Sequence, residues 1–111
     1  MTYELVISES IRGQIDQQVS AYLEAGASHD VVAQWLAGLS EKLSVLRSFP
    51  RVAPVARWPS TVVGDEIRRL TYGEHVVFYR VDDKSQRVLL LSFRHGRRRP
   101  WLQDGTGDDH I

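Results

Sequence analysis

The stretch GEHVVFYRVDDKSQRVLLLSFRH, residues 73–95, decides the fold. It holds two apolar runs, VVFYRV and VLLLSF, separated by the polar segment Asp82–Gln86, which reads as a turn. In each run both alternating faces carry bulky apolar or aromatic groups. Strands of that kind are central and covered on both sides. One of Phe78 and Tyr79 therefore faces a helical layer, and the other needs a different cover. Upstream, Gly73-Glu74 makes another turn, so a strand over Glu66–Tyr72 precedes His75–Val81 and Arg87–His95. These three strands form an antiparallel meander.

Working outward, residues 50–64 contain three prolines and one glycine and read as a loop. Before them lie two amphipathic helices. Ser8 or Ser10 caps the first, whose stripe is Ile11, Ile15, Val19, Tyr22 and Leu23, and Gly26 ends it. Ser28 caps the second, with Asp30 in its first turn facing the positive dipole end. Its stripe is Val32, Trp35, Leu36, Leu39, Leu43 and Leu46, and Phe49-Pro50 stops it. So short a connection makes the pair an antiparallel hairpin. At the start, Tyr3, Leu5 and Ile7 alternate with Glu4 and Val6 as a short strand. The fold class is therefore α+β: an N-terminal strand, a helical hairpin and a three-stranded antiparallel meander in one sheet. Residues 1–102 make a single domain, and QDGTGDDHI, residues 103–111, makes a flexible acidic tail.

The chain has 111 residues, 42% hydrophobic and 25% charged, which suits one globular domain. It has no cysteine, which excludes disulfides and thiolate metal sites and is compatible with a reducing cytosol. No apolar window is long enough to span a bilayer, and MTYELVIS has no features of an export leader, so a cytoplasmic location is expected. The formal net charge is zero but unevenly placed. Residues 57–99 carry ten basic and five acidic side chains, whereas residues 1–56 carry four and six.

Much of that basic charge closes the last strand: Arg94, Arg97, Arg98 and Arg99. Arg68 and Arg69 lie on the first meander strand, and Arg80 and Lys84 lie around the second turn. Planar guanidinium groups suit phosphates and carboxylates. Such a set serves nucleic acid or an acidic protein surface; otherwise it is a solvated strand end whose charges discourage edge pairing. His95 can move protons near neutral pH or simply hydrogen-bond. His29, His75 and His110 are scattered, so no zinc site is expected. No nucleophile motif or phosphate-cradling glycine loop stands out, and no cofactor is expected. Trp35 falls on the helix stripe, as a core residue would. Trp58 and Trp101 sit in irregular segments, where they cap the core or anchor a partner.

The layout, with YELVISESIRGQIDQ, LRSFPRVAP, IRRLTYGEHVVFYRVDD and VLLLSFRHGRRR, resembles the RelE/ParE superfamily of toxins from type II toxin–antitoxin pairs. The resemblance runs from about Tyr3 to Arg99. It implies one of two activities. RelE-like members are metal-independent, ribosome-dependent mRNA endoribonucleases. ParE-like members inhibit DNA gyrase and stabilise plasmids. Both are neutralised by a cognate antitoxin, from an adjacent gene, that wraps the toxin in a hetero-oligomer.

The ending His95-Gly96-Arg97-Arg98 is similar to the ParE-like closing. Many RelE-like nucleases carry an arginine three residues before the tyrosine of the second meander strand; here that position is Val76, which cannot stabilise developing negative charge. On the ParE-like side the resemblance implies a target-binding surface of Arg94, His95, Arg97, Arg98 and Arg99, supported by Arg69 and Arg80. On the nuclease side, His95 would be the general base and Arg94 the phosphate clamp. The resemblance implies antitoxin contact mainly on the helical hairpin, including Trp35 and Leu39, and on the sheet face that the hairpin leaves open.

Overall fold

The computed structural model of the chain describes residues 2–57, 60 and 64–96. Both helices begin where a serine oxygen serves their free N–H groups. Ser8 Oγ accepts from the Ile11 N–H at 3.2 Å and opens α1, Glu9–Glu24. Ser28 Oγ accepts from the Val31 N–H at 3.1 Å and opens α2, His29–Ser48. Between them Gly26 adopts φ +100°, a conformation glycine accepts at little cost, and the chain reverses. α2 carries Asp30 in its first turn and Arg47 in its last, each matched to the helix dipole. It ends at Phe49, ahead of Pro50.

The strands are β1 (Glu4–Val6), β2 (Arg68–Tyr72), β3 (His75–Asp82) and β4 (Arg87–His95). β2, β3 and β4 form the expected antiparallel meander. The sheet as a whole departs from the expectation because it is four-stranded and mixed, in the order β1-β4-β3-β2. β1 joins β4 in parallel, with Leu5 opposite Val88. Alternation along a segment marks it as a strand but does not name its partner. Here the helical hairpin carries the chain across the sheet, as a parallel pairing requires. That placement makes β4 internal, which explains why VLLLSF is apolar on both faces. β2 begins at Arg68, two residues later than expected. The Ile67 C=O instead accepts from the Ala56 N–H at 2.7 Å, and the Ile67 N–H donates to Ser60 Oγ at 2.8 Å.

A bulge sets the packing of β4. Phe78 lies opposite Ser92 and Tyr79 opposite Leu90, so Leu91 is an extra residue on β4. The shift lets Val88, Leu90 and Phe93 all face the helices. With Ile11, Leu39, Leu43, Leu46, Leu70, Val77 and Tyr79 they form the main core. The Tyr79 hydroxyl donates to the Pro50 carbonyl at 2.8 Å, so this aromatic fills the core without leaving a buried donor unpaired. Tyr72 donates to the Trp35 carbonyl at 2.7 Å, fastening β2 to α2. Gly38 permits that approach, since a β-carbon there would collide with the Tyr72 hydroxyl. The opposite face of the sheet holds a smaller cluster of Ile67, Val76 and Phe78, against which Ala56 and Leu91 pack. In the α2 stripe, Leu36 departs from expectation: it is exposed.

Candidate functional site

Cross-strand register decides which arginines meet. Arg69 pairs with Phe78 and Arg94 with Val76, so both lie on the face away from the helices. Arg80, two residues beyond Phe78, shares that face. Strand geometry spreads the three over about 13 Å along the strands and about 10 Å across them. They frame the apolar strip of Val76 and Phe78. Arg80 stands 3.7 Å from Asp65, and Arg69 has no side-chain partner among the described residues. Arg68 belongs elsewhere. It pairs with Tyr79 on the helix side and donates to the carbonyls of Arg51 at 3.2 Å and Ala53 at 2.7 Å, holding the loop after α2. Arg97, Arg98, Arg99 and the expected acidic tail, with Trp58 and Trp101, lie outside the described residues.

His95 follows Arg94 but leaves the strand on the other side, opposite His75. The two residues border a common cleft only at the strand end. This cleft, of about 530 Å³, is walled by Gln14, Gln17 and Gln18 from α1 and by His75, Phe93, Arg94 and His95 from the sheet. Gln14 is fixed there, since its Oε1 accepts from the Phe93 N–H at 2.9 Å. His95 Nε2 lies 3.2 Å from Glu74 Oε1 at the rim.

His75 is the residue that sequence reasoning passed over. It is 2% exposed and stacks on Phe93 with ring centroids 5.1 Å apart and planes within 7°. Trp35 and Tyr22 approach it edge-on. Its Nε2 is buried with no hydrogen-bond partner. Burial pushes this imidazole below its ordinary value of 6.5, His95 nearby adds to the shift, and Glu74 opposes it. Counting back from the Asp82–Gln86 turn would have placed His75 next to the last strand, but the bulge at Leu91 moves its partner from Arg94 to His95.

The hairpin side offers a second surface. A groove of about 520 Å³ between α1, α2 and β1 is lined by Leu5, Ile7, Ile15, Leu36, Leu39 and Leu43, with Arg12, Asp16 and Arg47 around them. Leu39 is only 2% exposed and contributes mainly to the core, whereas Leu36 is open to solvent. Trp35 is half-buried and reaches Tyr22, Tyr72, His75 and Phe93. Among the described residues no cluster of three or more His, Cys, Asp or Glu side chains could hold a metal ion. None of their helices is long and apolar enough to cross a membrane.

A helical hairpin laid on one face of a small mixed sheet, with arginines on the other, defines a two-layer α+β domain. The family described as ParE toxin of type II toxin-antitoxin system, parDE, matches residues 5–100. The chain belongs to that family, so it is the toxin member of a type II pair and has a cognate antitoxin as partner. No curated protein matches it closely.

Proposed function

We propose that this toxin arrests growth by inhibiting DNA gyrase through the arginine-bearing face and end of its sheet, without cleaving RNA. The observation that carries this is the shared face of Arg69, Arg80 and Arg94 around a strip in which Val76 is buried. Three cations on one rigid sheet suit an acidic macromolecular surface. Val76 occupies the position where a nuclease of the RelE type would present an arginine. It offers no hydrogen-bond donor to a phosphorane. Arg97, Arg98 and Arg99 follow Arg94 closely in sequence and add three more guanidinium groups. The antitoxin docks on the Leu36-containing groove of the hairpin, where an amphipathic helix finds apolar contacts. Gyrase works in the cytoplasm, which is then where the toxin acts, and a plasmid carrying the pair is stabilised by it.

The test is a supercoiling assay with purified gyrase. The wild-type chain blocks supercoiling, and Arg69→Ala with Arg94→Ala raises the concentration needed by about tenfold or more, a loss of roughly 1.4 kcal/mol. Full supercoiling activity in a large excess of toxin overturns the proposal. So does codon-linked cleavage of transcripts in arrested cells that is lost in His95→Ala.

A further inference from the structure

We propose that the outer edge of β2, with the groove between it and α2, docks an extended segment of a partner protein in which apolar and acidic side chains alternate. β2 ends the sheet and pairs only with β3. The first part of its outer edge is covered by the loop after α2. There the Ala56 N–H donates to the Ile67 carbonyl at 2.7 Å and the Arg69 N–H donates to the Pro54 carbonyl at 3.0 Å. Backbone groups alternate along a strand, so the Arg69 carbonyl and the Thr71 N–H and carbonyl point to the same edge. These groups have no hydrogen-bond partner among the described residues, and Thr71 is exposed. The sheet is therefore open to one more short strand where the loop leaves off.

The groove beside this edge holds about 590 Å³. It uses Lys42 and Val45 of α2, on the side of that helix opposite Leu36, Leu39 and Leu43 of the hairpin groove. Val45, Val52 and Leu70 give it an apolar lining, and Val45 and Val52 are 43% and 59% exposed. Its charged lining residues are Lys42 and Arg69, with no carboxylate beside them. Neither makes an ion pair among the described residues. Charge decides the occupant. A second copy adds the same cations and no carboxylate, so self-pairing raises the positive charge along the edge. An acidic segment supplies the complement. Alternation then places its side chains. Residues opposite Arg69 and Thr71 share their face, beside the Arg69 guanidinium, where acidic groups fit. The residues between them turn to the helix side, over Val45 and Leu70, where apolar groups fit. This surface is separate from the groove proposed for the antitoxin and does not depend on gyrase being the target.

Two fluorescein-labelled peptides test this on the full chain at low salt, read by anisotropy: Gly-Val-Glu-Val-Glu-Val-amide and Gly-Val-Lys-Val-Lys-Val-amide. The acidic peptide is expected to bind saturably, about tenfold more tightly than the basic one, and to move the Thr71 amide signal in proton–nitrogen NMR spectra. Thr71→Pro removes the outward N–H and leaves the ladder to β3 in place, as edge strands allow, and is expected to weaken binding about fivefold or more. Val45→Glu puts a like charge on an exposed helical position and is expected to weaken it similarly. Val45→Glu also carries the test if Thr71→Pro does not fold. The proposal is overturned by an acidic peptide that fails to saturate, by a basic peptide that binds as tightly, by an unmoved Thr71 amide, or by a folded variant that binds like the wild type. A wild-type chain that sediments as a dimer, and that Thr71→Pro converts to a monomer, also overturns it by giving the edge to a second copy.

Discussion

On β3, Tyr79 points into the layer beneath the helices while Phe78, one residue earlier, points away from it. Both are buried, yet their surroundings differ. Tyr79 belongs to a core cluster drawn from α1, α2 and three strands, and its hydroxyl donates to the Pro50 carbonyl. Phe78 has Ile67, Val76, Ala56 and Leu91 about it, with Arg69 opposite and Arg80 two positions along. One face is a closed core built from the hairpin. The other is a narrow apolar strip framed by cations. A sheet with such faces can place its stability on one side and its contacts with other macromolecules on the opposite side, because a strand sends alternate residues to each.

The largest effect should come from the helix side. Tyr79→Ala removes a fully buried aromatic and strands the Pro50 carbonyl, so a loss of about 3–5 kcal/mol is expected. Phe78→Ala should cost less, because the smaller cluster around it can close over the space. Urea midpoints of the two variants measure the difference, and equal losses would erase the distinction between the faces. If Tyr79→Ala does not fold, Tyr79→Phe, expected to cost about 1 kcal/mol, serves in its place.

A second effect separates the faces by pH. His75 belongs to the helix-side aromatic cluster, and burial holds its pKa below the unfolded value of 6.5. The unfolded chain therefore binds more protons than the folded chain once the pH drops below that value. Stability contributed by the neutral imidazole is complete above 6.5 and is lost as the pH falls through the depressed folded value. Urea midpoints of the wild type are expected to fall between about pH 7.5 and pH 5.5. His75→Phe keeps an aromatic ring against Phe93 and removes the proton, so its midpoint should fall less over that interval. Parallel pH curves for the two proteins would show that His75 is not responsible.

Much of this division can be read from the sequence, and some cannot. Apolar residues on both faces of VVFYRV identify an internal strand, and the serines ahead of each helical stripe locate both helix starts. The partner of β1 is not legible, because a three-residue strand carries no sign of which edge it joins. The arginine face was half legible. Alternation puts Arg80 with Phe78, but whether Arg68 or Arg69 joins them depends on register across the Gly73-Glu74 turn. The cleft was hidden for a further reason. Its walls come from a helix and a strand some 80 positions away, and the bulge at Leu91 shifts the pairing that brings His75 and His95 together.

The smallest expected effect sharpens the comparison most. Arg69 lies on the open face, exposed and without a side-chain partner among the described residues, and its backbone N–H already donates to the Pro54 carbonyl at 3.0 Å. Arg69→Ala keeps that backbone bond and removes only a solvated charge, so stability should stay within about 0.5 kcal/mol of the wild type. If the open face is reserved for binding, the same substitution still weakens inhibition of the target. The charge left on Arg80 and Arg94 then carries a weaker field, and addition of salt should narrow the gap between variant and wild type. A large change in the urea midpoint of Arg69→Ala would mean that the guanidinium supports the fold. The division of labour between the two faces would then fail at the residue where it is simplest to observe.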